Sequence, residues 1–181
     1  MRKWIKIGFV GAFFFFLMIP ASQANGGEEE SIFLNPESLV RGLYAAVTFD
    51  KGESPDWEYV KSMFLPEAVI GVRKTRTSMA VMNVDEFVQW FKDDVEKYKM
   101  IERGFEETVQ KLKITVYRNM GHAFVLYQAR FKTPADAPGQ LGVDGFGLLN
   151  KDGRWWIASI TNDVVTPDTP LPDVLKQQGE R

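Results

Sequence analysis

Hydrophobic positions recur every three to four residues in the first half of the chain and every second residue in the second half. Pro36 tolerates a first helical position, Asn35 before it can cap, and Leu39, Leu43 and Val47 then share a face, which predicts a first helix. A turn-rich break over 50–55 follows, and Asp56 can cap a short second helix carrying Trp57, Val60 and Phe64, ended by Pro66. The β-branched stretch Ala68 to Val72 reads as a strand, and the polar, basic run Arg73 to Ser78 as a loop or exposed hairpin. Asn83 and Glu86 fit a capping-box pattern for a third helix, whose Phe87, Trp90, Phe91, Val95 and Tyr98 form a broad stripe.

Alternation then takes over. Leu112 to Arg118 and His122 to Phe131 read as antiparallel strands joined by an Asn119-Met120-Gly121 turn. Leu141 to Leu149 is a third strand, loosened by three glycines, and Asn150 to Gly153 close a hairpin into a last strand over Arg154 to Val165. Helices first and a strand meander afterwards argue an α+β domain with helices on one face of an antiparallel sheet. Residues 35–165 make that domain, and residues 166–181, with three prolines, form a tail that runs over the surface.

The N-terminus changes the picture. Arg2, Lys3 and Lys6 precede an uncharged apolar run from Ile7 to Ile19, then Pro20 and the small residues Ala21 to Ala24. That is a secretory signal pattern, with cleavage expected after Ala24 and a polar linker over 25–34. The run would span about 20 Å as a helix, short of a hydrocarbon core of roughly 30 Å, so it is read as a signal and a retained anchor is the alternative. Contact with a membrane is expected only through this segment if it is uncleaved. The mature chain keeps 19 basic against 24 acidic residues, because residues 1–24 hold three basic and no acidic ones, so its net charge is −5. A mildly acidic domain without a basic cluster is a poor nucleic-acid binder. The chain has 181 residues and no cysteine, which excludes disulfides, thiolate metal sites and a cysteine nucleophile.

Three stretches carry a resemblance: Asp56-Trp57 through Phe64-Leu65-Pro66-Glu67-Ala68-Val69, the helix start Asn83-Val84-Asp85-Glu86-Phe87, and Gly153-Arg154-Trp155-Trp156-Ile157-Ala158-Ser159 after Leu148-Leu149. Together they resemble the nuclear transport factor 2-like superfamily, which includes ketosteroid isomerase, SnoaL-like proteins and scytalone dehydratase. Secreted bacterial members share in addition the Gly104-Phe105 entry, the Gly121-His122-Ala123 turn and the Arg-Trp-Trp-Ile strand. The resemblance implies a cone-like curved sheet with three N-terminal helices on its concave face, enclosing a pocket. In enzymatic members an aspartate or histidine acts there as general base beside an oxyanion partner.

Few residues qualify for that chemistry. His122 is the single histidine, on a strand face with Phe124, Leu126, Gln128 and Arg130 and opposite Tyr127, so it is either a partly solvated turn residue or a base. One histidine without paired acids gives no metal-ligand set, and no cofactor is expected. Asp163 ends the last strand in phase with Trp155, Ile157, Ser159 and Thr161, while Asn162 points the other way. It is either a pocket acid or a solvated strand end. Asp144 could face the pocket beside Phe146, sit near an edge, or pair with Arg130 across strands. Tyr44, Trp57 and Phe91 are expected wall residues with Trp155, and Tyr44 or Tyr127 would be the partner of an acid. Trp155 and Trp156 must face opposite sides of the sheet, so both faces carry apolar bulk and something covers the second. Homodimerisation through the sheet is one explanation and a folded-back tail the other. The expected function is binding of a small hydrophobic molecule in an apolar pocket of a secreted or periplasmic domain. An isomerase- or cyclase-type enzyme and a protein-association module are the alternatives.

Overall fold

In the computed structural model, which describes residues 31–176, three helix starts are fastened by side chains close in sequence. Helix α1 (Pro36–Ala46) is capped by Asn35, whose side-chain oxygen accepts from the backbone N–H of Glu37 at 2.8 Å and of Ser38 at 3.1 Å. Asp56 does the same for α2 (Trp57–Ser62). Asn83 and Glu86 exchange reciprocal 2.9 Å bonds at the start of α3 (Val84–Lys97), satisfying two donors that a helix end leaves open. A fourth short helix, α4 (Met100–Arg103), follows where none was read from the sequence. The expected signal segment and the expected cleavage point lie outside the described residues. Within the expected linker, Phe33 is buried under the Arg154 guanidinium, 3.5 Å from its ring.

The strands are β1 (Phe64–Thr75), β2 (Ser78–Met82), β3 (Phe105–Tyr117), β4 (Met120–Phe131), β5 (Gln140–Lys151) and β6 (Arg154–Val164). They form one curved sheet in the order β2-β1-β6-β5-β4-β3. All neighbours are antiparallel except β1 and β6, which pair in parallel. Chain order cannot reveal that pairing, since β1 is joined to β6 only through the whole of the intervening fold. Phe64, expected on the second helix, begins β1 instead, and Pro66, expected to end that helix, lies within the strand. Pro66 sits where the register against β6 shifts between Phe64 and Val69, a place where a missing donor breaks no ladder bond. The stretch Arg73 to Ser78 is the tip of the β1–β2 hairpin.

Helices α1 and α3 cover the inner face of the sheet. The core between them includes Leu39, Val40, Val88, Ile70, Val125 and Ile157, each at most 2% exposed. Gly104 links α4 to β3 at φ 68, where a Cβ would stand 3.0 Å from the backbone nitrogen of Lys51, so glycine alone fits both the left-handed backbone and the space. The C-terminal segment folds back rather than wandering. Its 3-10 turn (Asp173–Leu175) packs on β3 and β4, with Leu175 1% exposed and the Lys176 carbonyl bonded by Lys111. Lys111 pairs with Leu126, on the side of the sheet away from the helices, so the tail covers part of the outer face. No helix among the described residues is long and apolar enough to cross a membrane.

Candidate functional site: an aromatic cavity with buried carboxyls

The phase of β6 decides which side chains enter the cone. Gly147 pairs with Ser159, but the next residue of β5, Leu148, pairs with Ile157, so Ala158 is an extra residue in β6. Such a bulge moves every later side chain to the other face. Trp155 and Ile157 therefore share the inner face with Ile160 and Asn162, and Asp163 is turned outward. There it bonds the Arg73 guanidinium at 3.1 Å. Of the two readings of Asp163 it is the exposed strand end that matches its place, and the expected phase, Asp163 with Trp155 and Asn162 opposite, is reversed, because counting every second residue from Trp155 assumes an unbroken ladder.

Above Asn162 the inner face is hollow. A cavity of about 190 Å³ lies between α1, α3, α4 and strands β1, β3, β4, β5 and β6. Tyr44 of α1, Phe91 of α3 and Asp144 of β5 line it as expected, and Tyr127 of β4 joins them. Trp57, Phe146 and Trp155, expected as walls, do not line it. Trp57 packs behind Phe91 with ring centres 5.5 Å apart, Phe146 lies under Tyr44 at 6.2 Å, and Trp155 is buried in the core with its backbone N–H on the Phe33 carbonyl. His122 is exposed on the outer face, opposite Thr115 and Gly147. Arg130 pairs with Glu106 on that same face and is nowhere near Asp144, whose cross-strand partner on β4 is Val125.

Asp144 is the centre of a polar network in this apolar wall. It is 8% exposed. The Tyr44 hydroxyl donates to its Oδ2 at 2.5 Å, and Asn162 Nδ2 donates to its Oδ1 at 2.7 Å and to the Tyr127 oxygen at 2.7 Å. Burial raises the Asp144 carboxyl to about 6, against the two donors, which favour the charged form. Burial, then the charge of Asp144, pushes both the Tyr44 and Tyr127 hydroxyls well above the usual phenol range. The Tyr127 oxygen accepts from Asn162 and so keeps its own proton to offer. Its ring lies where a Cβ on Gly142 would be, so glycine there is what lets the ring stand over the strand.

Glu107 was missed. It lies on β3 opposite Ala129, in phase with the buried Phe105 and with Val109, and that apolar phase is the signal that marks it as inward. Its backbone N–H donates to Thr48 Oγ1 at 3.0 Å, and that hydroxyl donates to the Tyr44 carbonyl at 2.9 Å, which ties β3 to the end of α1. Burial, with the Asp144 charge second, raises its carboxyl to about 8. Burial and the proximity of the two acids thus favour one proton retained on the pair near neutral pH. At the mouth, Trp90 is 41% exposed, and burial raises the Asp94 carboxyl beside it.

No protein-family model matches the sequence, and no curated protein matches it. Solved structures do. An NTF2-like protein with a cystatin-like fold from Novosphingobium aromaticivorans aligns with a TM-score of 0.56 and 12% identity, covering 72% of this chain and 82% of its own. A protein of unknown function with a cystatin-like fold from Nostoc punctiforme aligns at 0.55 and 13%, over 74% and 90%. The CaMKII hub homology domain of Chlamydomonas reinhardtii aligns at 0.55 and 11%, over 72% and 95%. The chain therefore has the NTF2-like, cystatin-like fold, and likeness at these identities speaks to fold alone.

Proposed function

We propose that this is an exported protein that binds a small molecule in the cavity between α1, α3 and the sheet. The observation that supports it most is the cavity itself: apolar, aromatic walls with a few convergent polar groups are what small-molecule sites have in common. Its about 190 Å³ exceeds the roughly 150 Å³ cavity that holds a benzene molecule, so a ligand with one ring fits. Export rests on the basic, apolar and small-residue sequence of the first 24 positions.

An acid–base enzyme of the isomerase or cyclase kind is the second reading, supported by the bond between Tyr44 and Asp144. A carboxylate ionised above about pH 6 can take a proton from a bound molecule, while the unspent Tyr127 O–H offers itself to the oxygen that gains charge. Native mass spectrometry of the protein purified from its own host tests both. A retained small mass is expected. A bare protein, with no thermal shift across a library of one-ring compounds, would sink the binding reading. Turnover of the retained molecule by the wild type and not by Asp144→Asn would make it an enzyme.

Pairing of two copies through the outer face accompanies this reading. Met120 is 52% exposed there, Phe124 47% and Leu149 38%. These three lie together on adjacent strands β4 and β5, since Met120 pairs with Leu149 and Phe124 lies two outward positions along. Phe124→Glu is expected to convert a dimer to a monomer in analytical ultracentrifugation without changing the circular dichroism spectrum, because it places a charge in an apolar contact. A dimer that survives this substitution would place the contact elsewhere.

A further inference from the structure

The cavity walls are of one electrostatic kind. Every titratable group that faces it is an acid or a phenol: Tyr44 from α1, Asp94 from α3, Glu107 from β3, Tyr127 from β4 and Asp144 from β5, while α4, β1 and β6 contribute Met100, Val72, Ile160 and Asn162. No lysine, arginine or histidine among the described residues lines it. Aromatic rings surround the space, Tyr44 and Tyr127 with centres 5.6 Å apart, and Phe91 and Phe105 at 6.1 Å and perpendicular. Ring faces carry negative potential, so they add to the carboxyls rather than oppose them.

The hydrogen bonding is uneven in a way that points to a donor from outside. Both oxygens of Asp144 already accept from Tyr44 and Asn162. The Glu107 side chain makes no hydrogen bond or ion pair with any described residue. The Glu107 carboxyl, half-buried on the cavity wall and bonded to no described side chain, is thus open to a cationic donor. A metal ion is a poor candidate, because no three His, Asp or Glu side chains among the described residues group closely enough to hold one.

We propose that the cavity takes a protonated primary or secondary amine with a one-ring apolar body, its ammonium bonded to the Glu107 carboxylate and its body among the rings of Tyr44, Phe91 and Tyr127. This rests on the reading of the cavity as a small-molecule site and names the ligand class. The ammonium replaces the proton that Glu107 holds in the empty protein, so binding near neutral pH releases up to one proton to solvent. Affinity accordingly rises with pH as far as about 8 and levels off beyond.

The test is isothermal titration calorimetry of the full protein at pH 7 with three probes of similar shape: 2-phenylethylammonium, neutral 2-phenylethanol and anionic phenylacetate. The ammonium is expected to bind at least roughly tenfold more tightly than the alcohol, and the anion not at all. Its heat should change with the ionisation enthalpy of the buffer, whereas the heat of the alcohol should not. Glu107→Gln is expected to remove the preference and the buffer dependence while the alcohol still binds. Equal affinity for ammonium and alcohol would overturn the amine proposal and leave the small-molecule reading standing. Preference for the anion would overturn it too. Absence of binding by all three would overturn the amine proposal, while the small-molecule reading falls only if the native mass spectrum and the compound library are empty as well.

Discussion

Raising the pH from about 6 to 8 is expected to destabilise the ligand-free wild-type protein by roughly 2 to 3 kcal/mol relative to its Glu107→Gln variant. The sign follows from where the proton resides. In the unfolded chain Glu107 ionises near its ordinary 4.5, and in the folded protein burial and the Asp144 charge hold the proton until about 8. Between those values the folded state binds more protons, so stability falls as pH rises, by about 1.4 kcal/mol per unit. The stabilising protonated state is fully present below about 4.5 and lost above about 8. Asp144 acts in the same direction with its midpoint at about 6 and is present in both proteins, so the difference between them in the upper window is that of Glu107. Urea denaturation of both proteins at several pH values measures the difference. Parallel curves for the two proteins between pH 6 and 8 would mean that Glu107 is ionised in the fold and hydrated in the cavity.

A still larger loss is expected from Ile157→Ala. Ile157 is fully buried, faces Leu148 of β5 and Phe64 of β1, and anchors the end of α2 through its N–H on the Met63 carbonyl at 2.9 Å. Deleting its outer carbons at a junction of three elements leaves a cavity that the surroundings cannot close, at a cost of about 2 to 5 kcal/mol. For a domain of this size that corresponds to a Tm lower by roughly 5 to 20 °C. Scanning calorimetry reads it directly, with Val81→Ala as reference. Val81 is 72% exposed on an edge strand, so its truncation should stay within about 0.5 kcal/mol. A drop at Ile157 no larger than at Val81 would show that β6 near its bulge is loosely packed.

The two predictions draw on parts of the chain that differ in how far they can be read without the fold. Asn35, Asp56 and Asn83 announce their helices because a cap is a bond between residues two or three apart, which needs no other element to exist. The 3.6-residue stripe of α3 places Phe91 and Val95 inward for the same reason, and the turn residues between β3 and β4 and between β5 and β6 announce hairpins. Asp144 and Tyr127 could be placed by their phase in unbroken stretches of β5 and β4. Asp163 could not. One inserted residue at Ala158 exchanges its face with that of Asn162, and nothing in the local sequence marks the insertion, because a bulge arises from how β6 must fit against β5 and β1 together.

By itself, then, the amino-acid sequence determines what depends on short separations: helix starts, hairpins, the α+β order of elements and the apolar phase of each uninterrupted strand. The parallel seating of β1 on β6, the outward turn of Asp163 to Arg73, the return of Leu175 onto β3 and β4, and the meeting of Tyr44, Asp144, Asn162 and Tyr127 were decided by the tertiary structure. Tyr44 and Asp144 are 100 residues apart, and no local preference brings them together. Nor does any local preference raise the proton affinity of Glu107. That takes the water-excluding walls of α1 and α3 and the nearby Asp144 charge, and both exist only once the sheet has curved around the cavity.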